Sequence, residues 1–202
     1  MKSCFFTGYE SYSYNDDPDA LDYFANLVEI LVENGVTDFY SGGSLGWDNQ
    51  CEFSIQILKL FFSPKENPLV KIHLILPCPP EIHSQNWSEK ERFDFEARLS
   101  FADSIEIVSD KYDETCIEKR NARLVELGDI CVCYFNRNDF SGSTGQTVRM
   151  AEKANKIIFN LNFLNKCRSR FTTDEILQKF DYCLARAEDE KLRKNHSENP
   201  VE

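Results

Sequence analysis

Six short apolar runs punctuate this chain: SCFFT (3–7), TDFYS (37–41), VKIHLILP (70–77), SIEIVS (104–109), DICVCYF (129–135) and KIIFNL (156–161). The segments between them are longer and repeat their apolar residues at helical spacing, as Leu21, Phe24, Val28, Leu31 and Val32 do. Strands that alternate with helices need crossover connections, and right-handed βαβ crossovers build a parallel sheet with helices on both faces. The reading is α/β: a single Rossmann-like domain over residues 1–190 with a mainly parallel sheet, then a charged tail at 191–202 expected to fray.

Local signals set the helix limits. Asp17-Pro18 supplies an N-cap and a first-turn proline, and Asn34-Gly35 stops that helix. Ile55, Leu58 and Phe62 line one side of the next helix, with Pro64 beyond its end. Further helices are expected near 88–100, 115–127, 144–155 and 172–190.

In such a sheet, ligands bind beyond the carboxyl ends of the strands. Three loops of small residues reach that edge: Thr7-Gly8, Ser41-Gly42-Gly43-Ser44 with Gly46, and Gly142-Ser143-Thr144-Gly145-Gln146-Thr147. Glycine lets a ligand approach the backbone, and the first amides of the following helix favour an anion. Hydroxyls of Ser44, Ser143, Thr144 and Thr147 add donors. The expected ligand carries phosphate and requires no cofactor. A valine at Gly43 is expected to block it without unfolding the chain. The GxGxxG spacing is absent after the first strand, which sets aside an ordinary dinucleotide dehydrogenase.

Asp48 and Glu52 lie four apart, on one helical face. They bind ribose hydroxyls or act as a base on one reading, and form a solvated face on the other. Trp87 either stacks on a base or anchors an apolar lid, and Arg120-Asn121 falls within a helix. His73 reads as structural, and His83 lies in a loop with no triad context.

The formal net charge is −11, which opposes long-range attraction to a phosphate backbone, so extended nucleic acid is not the expected partner. No apolar run approaches the roughly 18 residues of a membrane span, and the expected compartment is the cytoplasm. The eight cysteines give no CxxC pair and no zinc-like set, so buried thiols are expected and no metal.

CFFTGY (4–9), SGGSLGWDNQCE (41–52), LPCPPEIHSQNW (76–87), YDETCIEKRN (112–121) and SGSTGQT (141–147) together resemble the YpsA-like branch of the SLOG superfamily. That superfamily includes the DNA-processing protein DprA and the LOG phosphoribohydrolases. The resemblance spans about residues 3–161 and implies nucleotide or nucleotide-derived ligands, ADP-ribose-like among them. Thr7, Gly8, Gly42, Gly43, Gly46, Asp48, Glu52, Gln85, Trp87, Arg120, Asn121 and the 142–147 loop carry over as pocket positions. Related proteins often pair, so a homodimer is expected. Ser44 and Ser143 depart from the branch's usual small or apolar residue and glycine. LOG enzymes carry a catalytic Glu after the late glycine loop, and Arg149 stands at that position here. A permanent cation cannot serve as a base, so the resemblance implies a binding protein. Hydrolysis of an N-glycosidic bond, with Asp48 or Glu52 substituting, is the alternative; a DprA-like single-strand binder comes third.

Overall fold

The computed structural model describes residues 3–61 and 70–162, and beyond them only Asp174, Glu175 and Gln178, which are helical. The rest of the expected last helix, the tail, and Phe62 and Pro64 lie outside the described residues. In chain order the elements are β1 (Ser3–Gly8), α1 (Pro18–Glu33), β2 (Asp38–Ser41), α2 (Trp47–Phe61), β3 (Lys71–Leu76), α3 (Pro80–His83), α4 (Glu89–Phe101), β4 (Ser104–Ile107), α5 (Cys116–Leu127), β5 (Ile130–Tyr134), α6 (Ser143–Lys153) and β6 (Ile157–Asn160). All six expected strands form. The short α3 has no periodic apolar pattern to announce it, since none of its residues is buried.

The strands order as β4-β3-β2-β1-β5-β6, and every pairing is parallel. The chain adds strands outward from β1 on one side, then returns through α5 to place β5 on the other. This reversal at β1 opens a crevice beyond the carboxyl ends of β1 and β5. β5 is buried throughout, as its unbroken apolar run requires. β4 departs from the expectation of two covered faces: it closes one edge of the sheet, with Ile105 and Ile107 exposed.

The capping signals form as read. Asp17 accepts from the Ala20 amide, Pro18 opens α1, and Gly35 ends it at φ +87°. Asp17 also accepts from Tyr134 Oη at 3.0 Å, which ties α1 to the end of β5. On the α1–α2 side of the sheet, Phe6, Phe24, Phe39 and Trp47 form the core; on the other, Phe5, Cys131, Cys133, Leu124 and Val148 do. The six described cysteines are buried and unpaired.

Trp47 holds the first core together. It is fully buried, stacks on Tyr134 at 5.2 Å and meets Tyr12 and Phe24 edge-on. A Cβ at Gly8 would collide with the indole, so this glycine makes room for Trp47. Aromatic truncation in a core costs about 3–5 kcal/mol. Trp47→Ala should lose stability of that order in urea unfolding, whereas Leu60→Ala, on the exposed side of α2, should stay within about 0.5 kcal/mol.

Candidate functional site

The 41–46 loop turns on two glycines at positive φ, Gly43 (+68°) and Gly46 (+66°). Its carbonyls point at cations and a ring. Arg120 Nη1 donates to Gly42 O at 2.8 Å, Arg98 Nη1 to Ser44 O at 3.2 Å, and His83 Nε2 lies 3.3 Å from Gly43 O. The Arg120 guanidinium occupies the space a Cβ at Gly42 would fill. A Cβ at Gly43 would lie 2.6 Å from Leu76 Cδ2. The loop glycines therefore admit protein groups, where the sequence reading had them admit a ligand. A valine at Gly43 strains the fold, so it is no clean probe of binding.

Behind the loop, Glu52 is fully buried, accepting from Ser41 Oγ at 2.5 Å and Arg98 Nη1 at 3.0 Å. Burial raises its pKa, and Arg98 and Ser41 oppose the rise. Asp48, one turn earlier, lies 4.0 Å from Arg120 Nη1. Burial lifts its pKa to about 7, helped by Glu52 and opposed by Arg120. The solvated-face alternative is thus excluded for both carboxylates. Burial beside the two arginines lowers His83 to about 4.

In front of the loop, a cavity of about 510 Å³ opens at the β1 switch point. Thr7, Gly8, Tyr9, Glu10 and Ser11 line it from β1 and the loop that follows. Ser44, Asp48, Arg120 and Asn121 form a second wall, Tyr112, Ile117 and Leu124 an apolar side, and Gly142, Ser143 and Thr144 the start of α6. Arg120 is 5% exposed, and its Nε has no hydrogen-bond partner among the described residues.

The α6 start is the anion-suited part of this wall. Its N-cap is Gly142, which offers no side-chain acceptor, and the first intrahelical bond runs from Gln146 N to Gly142 O. The amides of the first turn therefore lack helical acceptors. Asn121 Nδ2 donates to Ser143 Oγ at 2.9 Å, leaving the hydroxyl proton to donate elsewhere. Thr144 Oγ1 donates to Gly8 O at 2.9 Å, fastening α6 to the end of β1.

Other expected positions fall elsewhere. Ser41, Gly42, Gly43, Gly46 and Glu52 sit behind the cavity wall and shape it. Gln85 is exposed. Trp87 packs on Phe95 and His83 at 5.0 Å each, so it anchors an apolar cluster behind the loop. Gly145 packs against the backbone at Phe140, and Thr147 Oγ1 turns back to Ser143 O. Gln146 faces a separate depression with Arg149. Arg149 donates to Phe140 O at 2.7 Å and lies over the Phe140 ring, pinning the preceding loop. It lines no part of the central cavity, so it neither opposes nor assists chemistry there.

Arg98, Glu10 and Tyr112 were not read from the sequence. Arg98 was within reach, because it follows Phe95 by three residues on the buried face of α4. Glu10 and Tyr112 lie on loops, where no periodicity marks them. His73, read as structural, bridges Asp38 and Ser104 at 3.0 and 2.7 Å. That Ser–His–Asp order sits at the amino ends of three strands, away from the crevice.

Fold and crevice define a Rossmann-like protein with a ligand-sized cavity at its topological switch point. The family model described as the YspA SLOG family matches residues 4–166, and the chain belongs to that family. No curated protein matches the sequence. Among solved structures, DNA processing protein A from Helicobacter pylori, described for its single-stranded DNA binding mode, is 17% identical. That match covers 92% of this chain and 81% of the other, with a TM-score of 0.55. The X-ray structure of TM1055 is 15% identical over 78% of this chain and 72% of its own, at 0.48. At 17% identity the likeness to the DNA processing protein is one of fold. Among the described residues no helix is long and apolar enough to cross a membrane.

The state of Asp48 has a measurable consequence. An unfolded aspartate ionises near about 3.9, whereas burial holds Asp48 protonated up to about 7. Between those values the folded state carries the extra proton, so raising the pH through this window removes stability. Asp48→Asn cannot ionise. Its stability relative to the parent should therefore rise from pH 4 to pH 8, read from paired urea curves. A difference independent of pH would mean that Asp48 is ionised throughout.

Proposed function

We propose that this protein binds a nucleotide or nucleotide-derived ligand, ADP-ribose-like, in the cavity at the carboxyl end of β1. One observation carries the reading: a buried arginine with an unsatisfied Nε and an uncapped helix start line the same 510 Å³ space. Helix-terminal amides and a guanidinium both recognise phosphate oxygens. Thr7 and Ser143 offer hydroxyls to the same space, and Asp48 can hold a ribose hydroxyl. Tyr112, Ile117 and Leu124 provide an apolar side for a base.

Gly142 gives the cleaner test. Its φ is −84°, a Cβ there would meet nothing within 4 Å, and it lines the cavity. Gly142→Leu should keep the parent's circular dichroism and weaken ADP-ribose binding at least tenfold in calorimetry, about 1.4 kcal/mol. Equal affinity in the variant would remove the ligand from this cavity.

Hydrolysis of an N-glycosidic bond is the second reading, and Asp48 is the observation that favours it, since a carboxyl titrating near 7 can exchange protons at neutral pH. Incubation with nucleoside monophosphates should release no free base by chromatography. Turnover on the order of 1 per second would make the protein an enzyme. Single-stranded DNA binding has only fold likeness behind it, and the net charge of −11 opposes it.

A further inference from the structure

One cation and two carboxylates make an awkward receptor for an anion, yet those are the charged side chains of this cavity: Arg120, Asp48 and Glu10. Among the described residues no lysine and no second arginine lines it. Arg120 and Asp48 are each 5% exposed and 4.0 Å apart. A phosphate that reaches the guanidinium competes with Asp48 for one positive charge. It also meets the carboxylate's negative charge where little water screens the two.

Two adjustments would relieve that conflict. The guanidinium could swing toward the ligand, or the carboxylate could take a proton. The first is blocked, because Nη1 is tied to Gly42 O and Ser44 Oγ at 2.8 and 3.2 Å and the group is packed against Gly42. The second is open. We infer that the cavity takes up a proton on Asp48 together with its anionic ligand, so that affinity is set by pH through this one carboxyl. The inference rests on the cavity being the anion site proposed above.

The groups facing Asp48 pull on its charge in both directions. Glu52 and Cys51 on α2 act against its ionised form or share its burial, while Arg120 on α5 and Arg98 on α4 favour that form. Glu10 faces Arg120 from the loop after β1. His83 on α3, held neutral down to about pH 4, adds no charge. The balance leaves Asp48 titrating near 7, so at neutrality the proton is gained at little cost. A nearby anion adds a like charge and raises that value further. Below the free-state value both forms are protonated and affinity is flat with pH. Above it, binding brings a proton in, and affinity falls by up to tenfold per pH unit until the bound form ionises too.

ADP-ribose is the probe, because its phosphodiester-type groups carry no proton to confuse the measurement between pH 5 and 9. Calorimetric titration of the wild-type protein at pH 8 in HEPES and in Tris, which differ in ionisation heat, reads the protons taken up. The expected result is uptake approaching one proton at pH 8, near zero at pH 6, and affinity falling about tenfold from pH 7 to pH 8.5. Asp48→Asn should abolish the uptake and flatten the affinity profile. Uptake that persists in that variant assigns the proton elsewhere and overturns the inference. Binding with the same heat in both buffers and no pH dependence also overturns it, while leaving the cavity reading in place. No binding at either pH overturns both.

Discussion

Two guanidinium groups buried under one loop fix much of what surrounds them. Taking an arginine out of water costs several kcal/mol unless its donors are met. Here loop oxygens and a buried carboxylate meet only the Nη1 group of each, leaving Arg120 Nε and Arg98 Nε and Nη2 without partners among the described residues. Arg120 donates to the Gly42 carbonyl and Arg98 to that of Ser44, and Asp48 and Glu52 on α2 supply the opposite charge. The sequence requirements follow. Position 42 must be glycine because the guanidinium fills the Cβ position, and positions 43 and 46 because of their positive φ, with Gly46 also closing against the Tyr9 and Glu10 carbonyls. The loop's amides are engaged as well, Gly43 N–H with Ser41 Oγ at 3.3 Å and the Ser44 amide with Asp48. The uncapped N–H groups of this crevice are instead those at the start of α6.

The fold was legible where a strand is buried on both faces and reads as an unbroken apolar run, ICVCY in β5 above all. Helix limits were legible where a cap residue has a chemical reason, as at Asp17 and Gly35. β4 was found as a strand, but its exposure was not foreseen, since strand order is a long-range property that local spacing does not encode.

The site was legible in part. The loops at the sheet edge were placed correctly, and Asp48, Arg120 and Asn121 join them in one cavity. The role of the glycines was not, because a glycine that admits a ligand and one that admits a neighbouring side chain leave the same mark in a sequence. Only the far partner, a residue 78 positions away in the case of Gly42 and Arg120, tells them apart. Trp87 went to packing for a similar reason: its aromatic neighbours His83 and Phe95 come from flanking helices.

The reversal of direction at β1 bears on how the protein comes into being. β1 pairs with β5 across more than a hundred residues of chain, Phe5 opposite Cys131 and Gly8 opposite Tyr134. Contacts this distant are slow to close, because the loop entropy is spent before any pairing repays it. The cavity wall draws on both sides of that closure, from Phe6 to Thr144. A nascent chain that has emerged only through β4 can build part of the sheet but lacks the α5 and α6 walls of the crevice. Only the finished molecule has a complete crevice. Any ligand it held would act on the whole folding equilibrium by mass action, protecting completed chains and offering nothing to those still in synthesis.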